Sequence, residues 1–304
     1  MTGLIVINDL IVITGPTASG KTALSVQLAK QTGAEIVNAD SMQIYKYMDI
    51  GTAKPTAEER CGVPHHLIDI VLPDEQFSVA RYCGCAKEAI DLIHSRGRPA
   101  VMVGGTGLYV DSVVNNIQFS EIEPDEEYRN ELSEIADEKG NEYIYDMLLK
   151  ADPESAAKIK IPDRKRIIRA LEVYHKTGRT MTWHNERSRS VPSPYSIKMF
   201  AIDIPRDILY DRINRRVDMM LEAGLTREVE SLIEMGVDRN STSMQAIGYK
   251  EIAEYISGEI TLDEAVYKIK TGSRHYAKRQ LTWFRRNEKI KWIKSIGELL
   301  FDLN

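Results

Sequence analysis

Gly15-Pro16-Thr17-Ala18-Ser19-Gly20-Lys21-Thr22 stands between an apolar run, Leu10-Ile11-Val12-Ile13-Thr14, and a helical pattern carrying Ala23, Leu24, Gln27 and Leu28. Strand, glycine-bounded loop and helix in that order make a phosphate cradle. Backbone N–H groups and the helix N-terminus face an anion, Lys21 adds a point charge, and Thr22 can place its hydroxyl on Mg²⁺. A glycine-rich turn behind a buried strand would leave Lys21 and Thr22 unexplained. The loop alone leaves open which polyphosphate it holds, and whether that phosphate is cleaved, transferred or released.

Outward from the loop, strands and helices alternate. Gly33 punctuates the first helix, and Ala34 to Asn38 read as a short strand ending at Asp40. Ser78 suits the cap of a helix with apolar Val79, Tyr82, Cys83, Ala86, Ile90 and Ile93, which Gly97 and Pro99 close. Ala100-Val101-Met102-Val103 is a buried-type strand running into Gly104-Gly105-Thr106-Gly107. This rhythm predicts an α/β fold of the P-loop NTPase type, a parallel sheet flanked by helices with ligands at the carboxyl ends of the strands. The phosphate loop, Asp40 and Thr106 then surround one crevice.

Residues 119–190 break the alternation with helical patterns at 125–138, 142–150 and 163–177, and Pro192 and Pro194 mark a connector. We expect an inserted all-helical domain at 119–190 within a core formed by 1–118 and 191–304. The strand at 197–203 restores the sheet, and helices follow at about 206–223, 226–235, 243–257 and 261–286, before a short strand at 290–293.

The 304 residues are 43% hydrophobic and 28% charged, with no repeat or low-complexity tract. The apolar segment from Leu4 to Thr14 is short and broken by Asn8-Asp9, so it reads as neither signal peptide nor membrane span. Three cysteines, Cys61, Cys83 and Cys85, read as buried thiols in a reducing cytoplasm. The net charge of −5 conceals two basic runs. Lys268 to Lys294 carries ten cationic side chains and the single acid Glu288, and Lys158 to Arg169 carries six and only Asp163. One such run reads as a solvated helix face; two, flanked by acidic sequence, read as phosphate-backbone footprints.

A missing residue narrows the chemistry. An NTP-hydrolysing machine carries an apolar strand ending in an acid that helps hold Mg²⁺. Here that strand ends in Val103-Gly104-Gly105. Asp40 is the nearest carboxylate by topology; the competing reading of Asp40 is an ordinary turn aspartate.

Several segments together resemble the tRNA dimethylallyltransferase (tRNA isopentenyltransferase) family. They are 15–22, Asp40-Ser41-Met42-Gln43-Ile44-Tyr45, Gly104 through Tyr109, Arg164 through Gly178, Arg216-Val217-Asp218, Gln245 through Tyr249, and Lys278 through Arg285. They run in order from about residue 10 to 286. The chain ends soon after Trp292 without a zinc-finger extension, as in the bacterial type. Lys160-Ile161-Pro162-Asp163 departs from the family pattern, which has an Asn near the Asp.

The resemblance implies transfer of a dimethylallyl group from its diphosphate to N6 of the adenine just 3′ of the anticodon (position 37), in tRNAs reading codons that begin with U. Under it Asp40 is the general base for a poorly nucleophilic exocyclic amine, and Thr106 and Arg216 complete the catalytic set. Gly15, Pro16, Thr17, Ala18, Ser19, Gly20, Lys21 and Thr22 hold the leaving diphosphate with Mg²⁺ on Thr22, and Arg216 adds a fork of donors. Arg212, one turn earlier, reads equally as an exposed residue. The implied tRNA contacts are Asp40, Ser41, Met42, Gln43, Thr106, Arg164, Lys165, Arg166, Ile167, Ile168, Gln245, Lys278 and Arg279. Gln43 has an amide suited to an adenine edge, and Trp183, Tyr249 and Trp283 are stacking candidates that read more simply as buried aromatics. The implied partners are the tRNA anticodon stem-loop and dimethylallyl diphosphate, with a monomeric, cytoplasmic enzyme. Competing readings are a P-loop kinase, an isopentenyltransferase acting on free AMP, and an ATP-dependent RNA-binding protein without transfer chemistry.

Overall fold

The computed structural model describes residues 9–119 and 122–303; Leu4 to Asn8 of the apolar opening, and residues 120 and 121 of the expected insertion, lie outside the described residues. The first half of the core contains strands β1 (Asp9–Thr14), β2 (Glu35–Asn38), β3 (His65–His66) and β4 (Ala100–Gly104). With them come helices α1 (Lys21–Thr32), α2 (Ala57–Arg60), α3 (Val79–Ser95) and α4 (Gly107–Val114). After α4 come five helices: α5 (Glu126–Lys139), α6 (Asn141–Ala151), α7 (Pro153–Ala156), α8 (Arg164–Thr177) and α9 (Met181–Arg187). The chain then adds β5 (Ser196–Ile202), α10 (Arg206–Glu222), α11 (Leu225–Glu234), α12 (Tyr249–Ile256), α13 (Leu262–Phe284), β6 (Ile290–Ile293) and α14 (Ile296–Leu303).

The six strands form one sheet in the order β3-β2-β4-β1-β5-β6, and every pairing is parallel. All six β1 side chains are buried, as expected of a strand covered on both faces. Ile11 and Ile13 pack with Val26 and Leu28 of α1 and with Leu299 and Leu303 of α14. Helix α3 packs on β2 and β4 and against α4, and the Ser78 hydroxyl caps it by accepting from the Arg81 N–H. Thr14 stands beside Gly104 in the register, and Asn38 beside Val103. The loops after β1, β2 and β4 therefore leave the sheet from one edge.

The chain divides into two compact units, Met1–Val114 with Pro194–Asn304 and Asn115–Ser193. The second unit has its own core of Leu132, Ile144, Leu148, Ile167, Ile168 and Leu171. Inside it, Glu172 is wholly buried, with Arg129 and Arg169 on its carboxylate and the Asp125 N–H donating to it. In the first unit, α10 to α13 build a second core that takes in Ile44, Tyr45 and Met48.

Two expectations need correction. Helix is absent from 243 to 248: the segment turns, and α12 starts only at Tyr249. Gly248 at φ 102° breaks the helical path, and its N–H is taken by Glu251 Oε2 at 2.8 Å. Of the thiols, only Cys83 is buried; Cys85 is partly so, and Cys61 is exposed beyond the end of α2. No described helix is long and apolar enough to cross a membrane.

Candidate active site

The phosphate loop is built on left-handed backbone at Gly15 (φ 137°), Ala18 (φ 61°) and Gly20 (φ 95°), conformations that glycine adopts freely and alanine only under local constraint. Lys21 Nζ donates to the carbonyl oxygens of Gly15 and Pro16 at 3.0 and 2.7 Å, closing the loop around its own ammonium. The Thr17 N–H donates to Gln280 Oε1 at 2.8 Å. Ser19 Oγ is buried without a hydrogen-bond partner, the state of a hydroxyl waiting for an acceptor. Thr22 is the second residue of α1, and its carbonyl accepts from Ser25 Oγ.

Asp40 follows β2 in a tight turn. Its N–H donates to Asn38 Oδ1 at 3.1 Å, and its Oδ1 accepts from the Met42 N–H at 2.9 Å. The second carboxylate oxygen has no such bond among the described residues. Thr106 sits beside this turn: its hydroxyl accepts from the Ser41 N–H at 3.0 Å and donates to Ser41 Oγ at 3.2 Å. The Thr106 and Gln280 side chains lie close enough to the Tyr276 phenol on α13 to hold its pKa down against burial. Tyr82 and Tyr109 stack with centroids 3.8 Å apart, and the Tyr82 hydroxyl donates to Asn38 O at 2.9 Å.

Three glycines of the 104–107 segment each meet a packed neighbour. An added Cβ would lie 2.1 Å from Ala39 O at Gly104, 2.2 Å from Gln280 Nε2 at Gly105, and 2.4 Å from Trp283 Cδ1 at Gly107. The glycines let the turn after β4 press against β2 on one side and α13 on the other.

The charges of Lys21, Asp40 and Arg216 act on one another. Burial pulls the Lys21 ammonium down to about 8; Asp40 pushes it back up and Arg216 adds to the fall. Burial also lowers the Arg216 guanidinium, opposed by Glu59 and Asp40. Burial, with the Asp40 charge behind it, pushes the Tyr276 phenol up to about 12. Two cations and one carboxylate thus converge beside the phosphate loop, lined by protonated phenols. Arg212, one turn before Arg216, is exposed. The donor set suits Mg²⁺ held chiefly through a polyphosphate: a threonine hydroxyl, one nearby carboxylate and an orphaned serine hydroxyl, with no cluster of three or more acidic, His or Cys side chains among the described residues.

The remaining sequence-derived positions divide in two. Gln43 spends its amide N–H groups on Thr52 O and Ala53 O, both at 3.2 Å, and Met42 packs against the helical core. Ile167 and Ile168 are core residues of the second unit, so their side chains face inward. Arg164 pairs with Asp137 and Arg166 with Asp163, while Lys165 is exposed and makes no ion pair among the described residues. Gln245 is exposed and donates to Arg239 O. Lys278 is exposed, and Arg279 lies 5.6 Å from the centre of the Tyr276 ring. Three of the ten cations of the long basic run form ion pairs among the described residues: Lys268 pairs with Glu254, Lys270 with Asp218 and Lys291 with Asp302. Tyr249 is fully buried and donates to Glu228 at 2.6 Å; Trp283 donates to Asp111 Oδ2 at 2.9 Å.

Gln280 carries no role legible in the sequence, since nothing local marks a partner 263 positions away. A ladder spans the start and end of α9: Arg179, just before the helix, and Arg187, its last residue, lie 5.3 and 5.4 Å from the centre of the Trp183 ring. Neither guanidinium has a carboxylate partner among the described residues.

An IPP transferase family model matches residues 43–287. The chain belongs to the tRNA dimethylallyltransferase family. The relative from Acetivibrio thermocellus, a tRNA dimethylallyltransferase, is 52% identical over 286 residues, 94% of this chain and 91% of the relative. That from Carboxydothermus hydrogenoformans is 50% identical over 291 residues, 96% and 93% of the two chains. Among solved structures, the family's tRNA isopentenylpyrophosphate transferase from Bacillus halodurans superposes with a TM-score of 0.72 at 46% identity, covering 97% of this chain and 94% of that one. A eukaryotic dimethylallyltransferase acting on tRNA gives 0.76 at 31% identity, covering 91% and 69%. These neighbours share the P-loop NTPase-like fold with this chain.

Proposed function

We propose that the chain transfers the dimethylallyl group of dimethylallyl diphosphate to N6 of adenosine 37 in tRNAs reading codons that begin with U, releasing diphosphate. The observation that carries this reading is the convergence of Lys21, Asp40 and Arg216 beside a phosphate loop whose neighbouring strand ends in Gly104-Gly105 rather than an acid. The cradle grips a polyphosphate while the usual water-activating apparatus is missing, which suits a leaving group better than hydrolysis.

The C1–O bond to the diphosphate breaks and a bond from C1 to the adenine N6 forms. Lys21, Arg216 and the loop N–H groups offset the charge growing on the departing oxygen. Asp40 takes the proton that N6 loses. Its turn with Met42 aims the carboxylate, and Thr106 holds that turn through Ser41. Mg²⁺, bound through Thr22 and the phosphates, would supply further charge neutralisation. The buried phenols of Tyr82 and Tyr109, with half-buried Tyr276, keep water sparse around a reactive allylic carbon.

The RNA partner is a tRNA anticodon stem-loop, met by the helical unit at 115–193 and by exposed Lys278 and Arg279. The Arg179–Trp183–Arg187 ladder favours this: unpaired guanidiniums beside an aromatic face suit phosphates and splayed bases. We take the enzyme to act as a cytoplasmic monomer.

The deciding assay supplies labelled dimethylallyl diphosphate and Mg²⁺ with either unmodified tRNA or AMP. Label is expected in tRNA, and Asp40→Ala should abolish it while leaving tRNA affinity within about threefold. Label in AMP alone, or ATP hydrolysis without transfer, would overturn the reading.

A further inference from the structure

Gln280 is 5% exposed and spends its amide at both ends. Its Oε1 accepts from the Thr17 N–H at 2.8 Å, and its Nε2 donates to Gly105 O at 2.9 Å. Thr17 belongs to the phosphate loop; Gly105 directly precedes Thr106, whose hydroxyl holds Ser41 next to Asp40. One side chain therefore ties the diphosphate cradle to the loops that carry the base. Tyr276, one helical turn earlier on α13, lies close enough to Gln280 and Thr106 for both to act on its phenol.

An amide meets both demands without a change of protonation. A carboxylate would accept from Thr17 but present a lone pair to Gly105 O, and an aliphatic side chain would leave a buried N–H and a buried C=O unpaired. Gly105 completes the fit, since a Cβ there would lie 2.2 Å from Gln280 Nε2.

The tie matters most once a phosphate arrives. Lys21 Nζ now rests on the carbonyls of Gly15 and Pro16, and an anion in the cradle competes for that ammonium. When Lys21 turns to the phosphate, residues 15–17 lose that support. The Thr17–Gln280 bond is then what keeps them in register with Gly105.

We propose that Gln280 is a positioning residue that couples the two halves of the site, so that donor and acceptor adenosine each tighten the binding of the other through its amide. The identity of both ligands rests on the transferase reading above; the coupling is measured independently of it. Calorimetry with the unreactive dimethylallyl S-thiolodiphosphate and an unmodified anticodon stem-loop RNA measures each affinity alone and with the other ligand saturating. In the native enzyme each ligand is expected to strengthen the other by about tenfold, within the usual range of site coupling. In Gln280→Leu and Gln280→Glu each affinity alone should stay within about threefold while the mutual gain falls to none. Single-turnover transfer should slow about 100-fold, the effect of a small misplacement of reacting groups.

Gly105→Ala provides a second route, because it keeps the glutamine but displaces its amide, and it should lose the coupling likewise. No mutual gain in the native enzyme, or an unchanged gain in both Gln280→Leu and Gly105→Ala, would overturn the proposal. So would a loss confined to the separate affinities with a matching fall in melting temperature. A native enzyme that shows coupling yet transfers no label to RNA would instead count against the transferase reading.

Discussion

The carbonyl oxygen of Ala39 occupies the space where a side chain on Gly104 would begin, 2.1 Å from an added Cβ. The same oxygen accepts the Thr106 N–H at 3.2 Å. The end of β2, which leads into Asp40, and the turn that carries Thr106 are thus in direct backbone contact.

Gly104→Ala must force these segments apart. We expect a loss of about 1–3 kcal/mol in urea unfolding, as for other overpacked sites, together with slower transfer. Gly84, in the interior of α3 with open space around it, is the control: Gly84→Ala should be neutral or stabilising by up to about 1 kcal/mol. Equal midpoints for the two variants would contradict the close approach.

Because burial holds the free-enzyme Lys21 near 8, kcat/KM for the diphosphate donor should fall as pH rises above that value and the ammonium loses its proton. Lys21→Arg should carry this alkaline limb beyond the measurable range, since a guanidinium stays charged. The effect on stability has the opposite sign. The unfolded chain keeps this proton up to the ordinary value of 10.5, so this group's contribution to stability rises as pH climbs from about 8 toward 10.5. A flat kcat/KM profile across pH 7–9.5 would refute the assignment.

Glu35 offers an acid-side counterpart. Burial pushes its carboxyl up, but His66 and Arg98 outweigh that and hold it below the ordinary 4.5. Its contribution to stability is therefore fully present above pH 4.5 and lost as pH falls through the lower folded value. Urea midpoints between pH 3 and 6 should show a shallower acid slope in Glu35→Gln. An identical slope would mean that the cluster contributes nothing.

For RNA, the ion pairs redistribute what counts as free charge. Arg179→Gln with Arg187→Gln should reduce the slope of log affinity against log salt by about 1.4–1.8, two phosphate contacts' worth. Arg164→Gln with Arg166→Gln, already paired to Asp137 and Asp163, should change it by about half as much or less. An unchanged slope in the Arg179/Arg187 variant would remove these two residues from the interface. With Trp283 and Trp292 replaced by Phe, RNA should also quench the remaining Trp183 fluorescence.

Local signals carried much of the architecture. The β1–loop–α1 unit, the Ser78 cap and the bare end of β4 are all written within a few neighbouring residues, and each stands where the spacing predicts. Local signals did not show where some side chains point. Ile167 and Ile168 share a segment with Arg164 and Arg166, yet helical periodicity turns them into the core and only the charged neighbours outward. Gln43 looks free beside a turn, but its amide is taken by carbonyls nine and ten residues on. The three glycines at 104, 105 and 107 read as turn residues; their reason is steric and lies in Ala39, Gln280 and Trp283. A contact between distant positions leaves no periodic trace, and the completion of this site depends on such contacts.

The bond from Thr17 to Gln280 also sets a clock. At roughly 5–20 residues per second of synthesis, the glutamine leaves the ribosome roughly 13–50 s after the loop it secures. Throughout that interval the nascent chain carries an early-made phosphate loop without its brace. Competence to bind donor and RNA together therefore arrives only when α13 docks, near the end of translation, so a fragment truncated before Gln280 should fold its insertion yet remain catalytically silent.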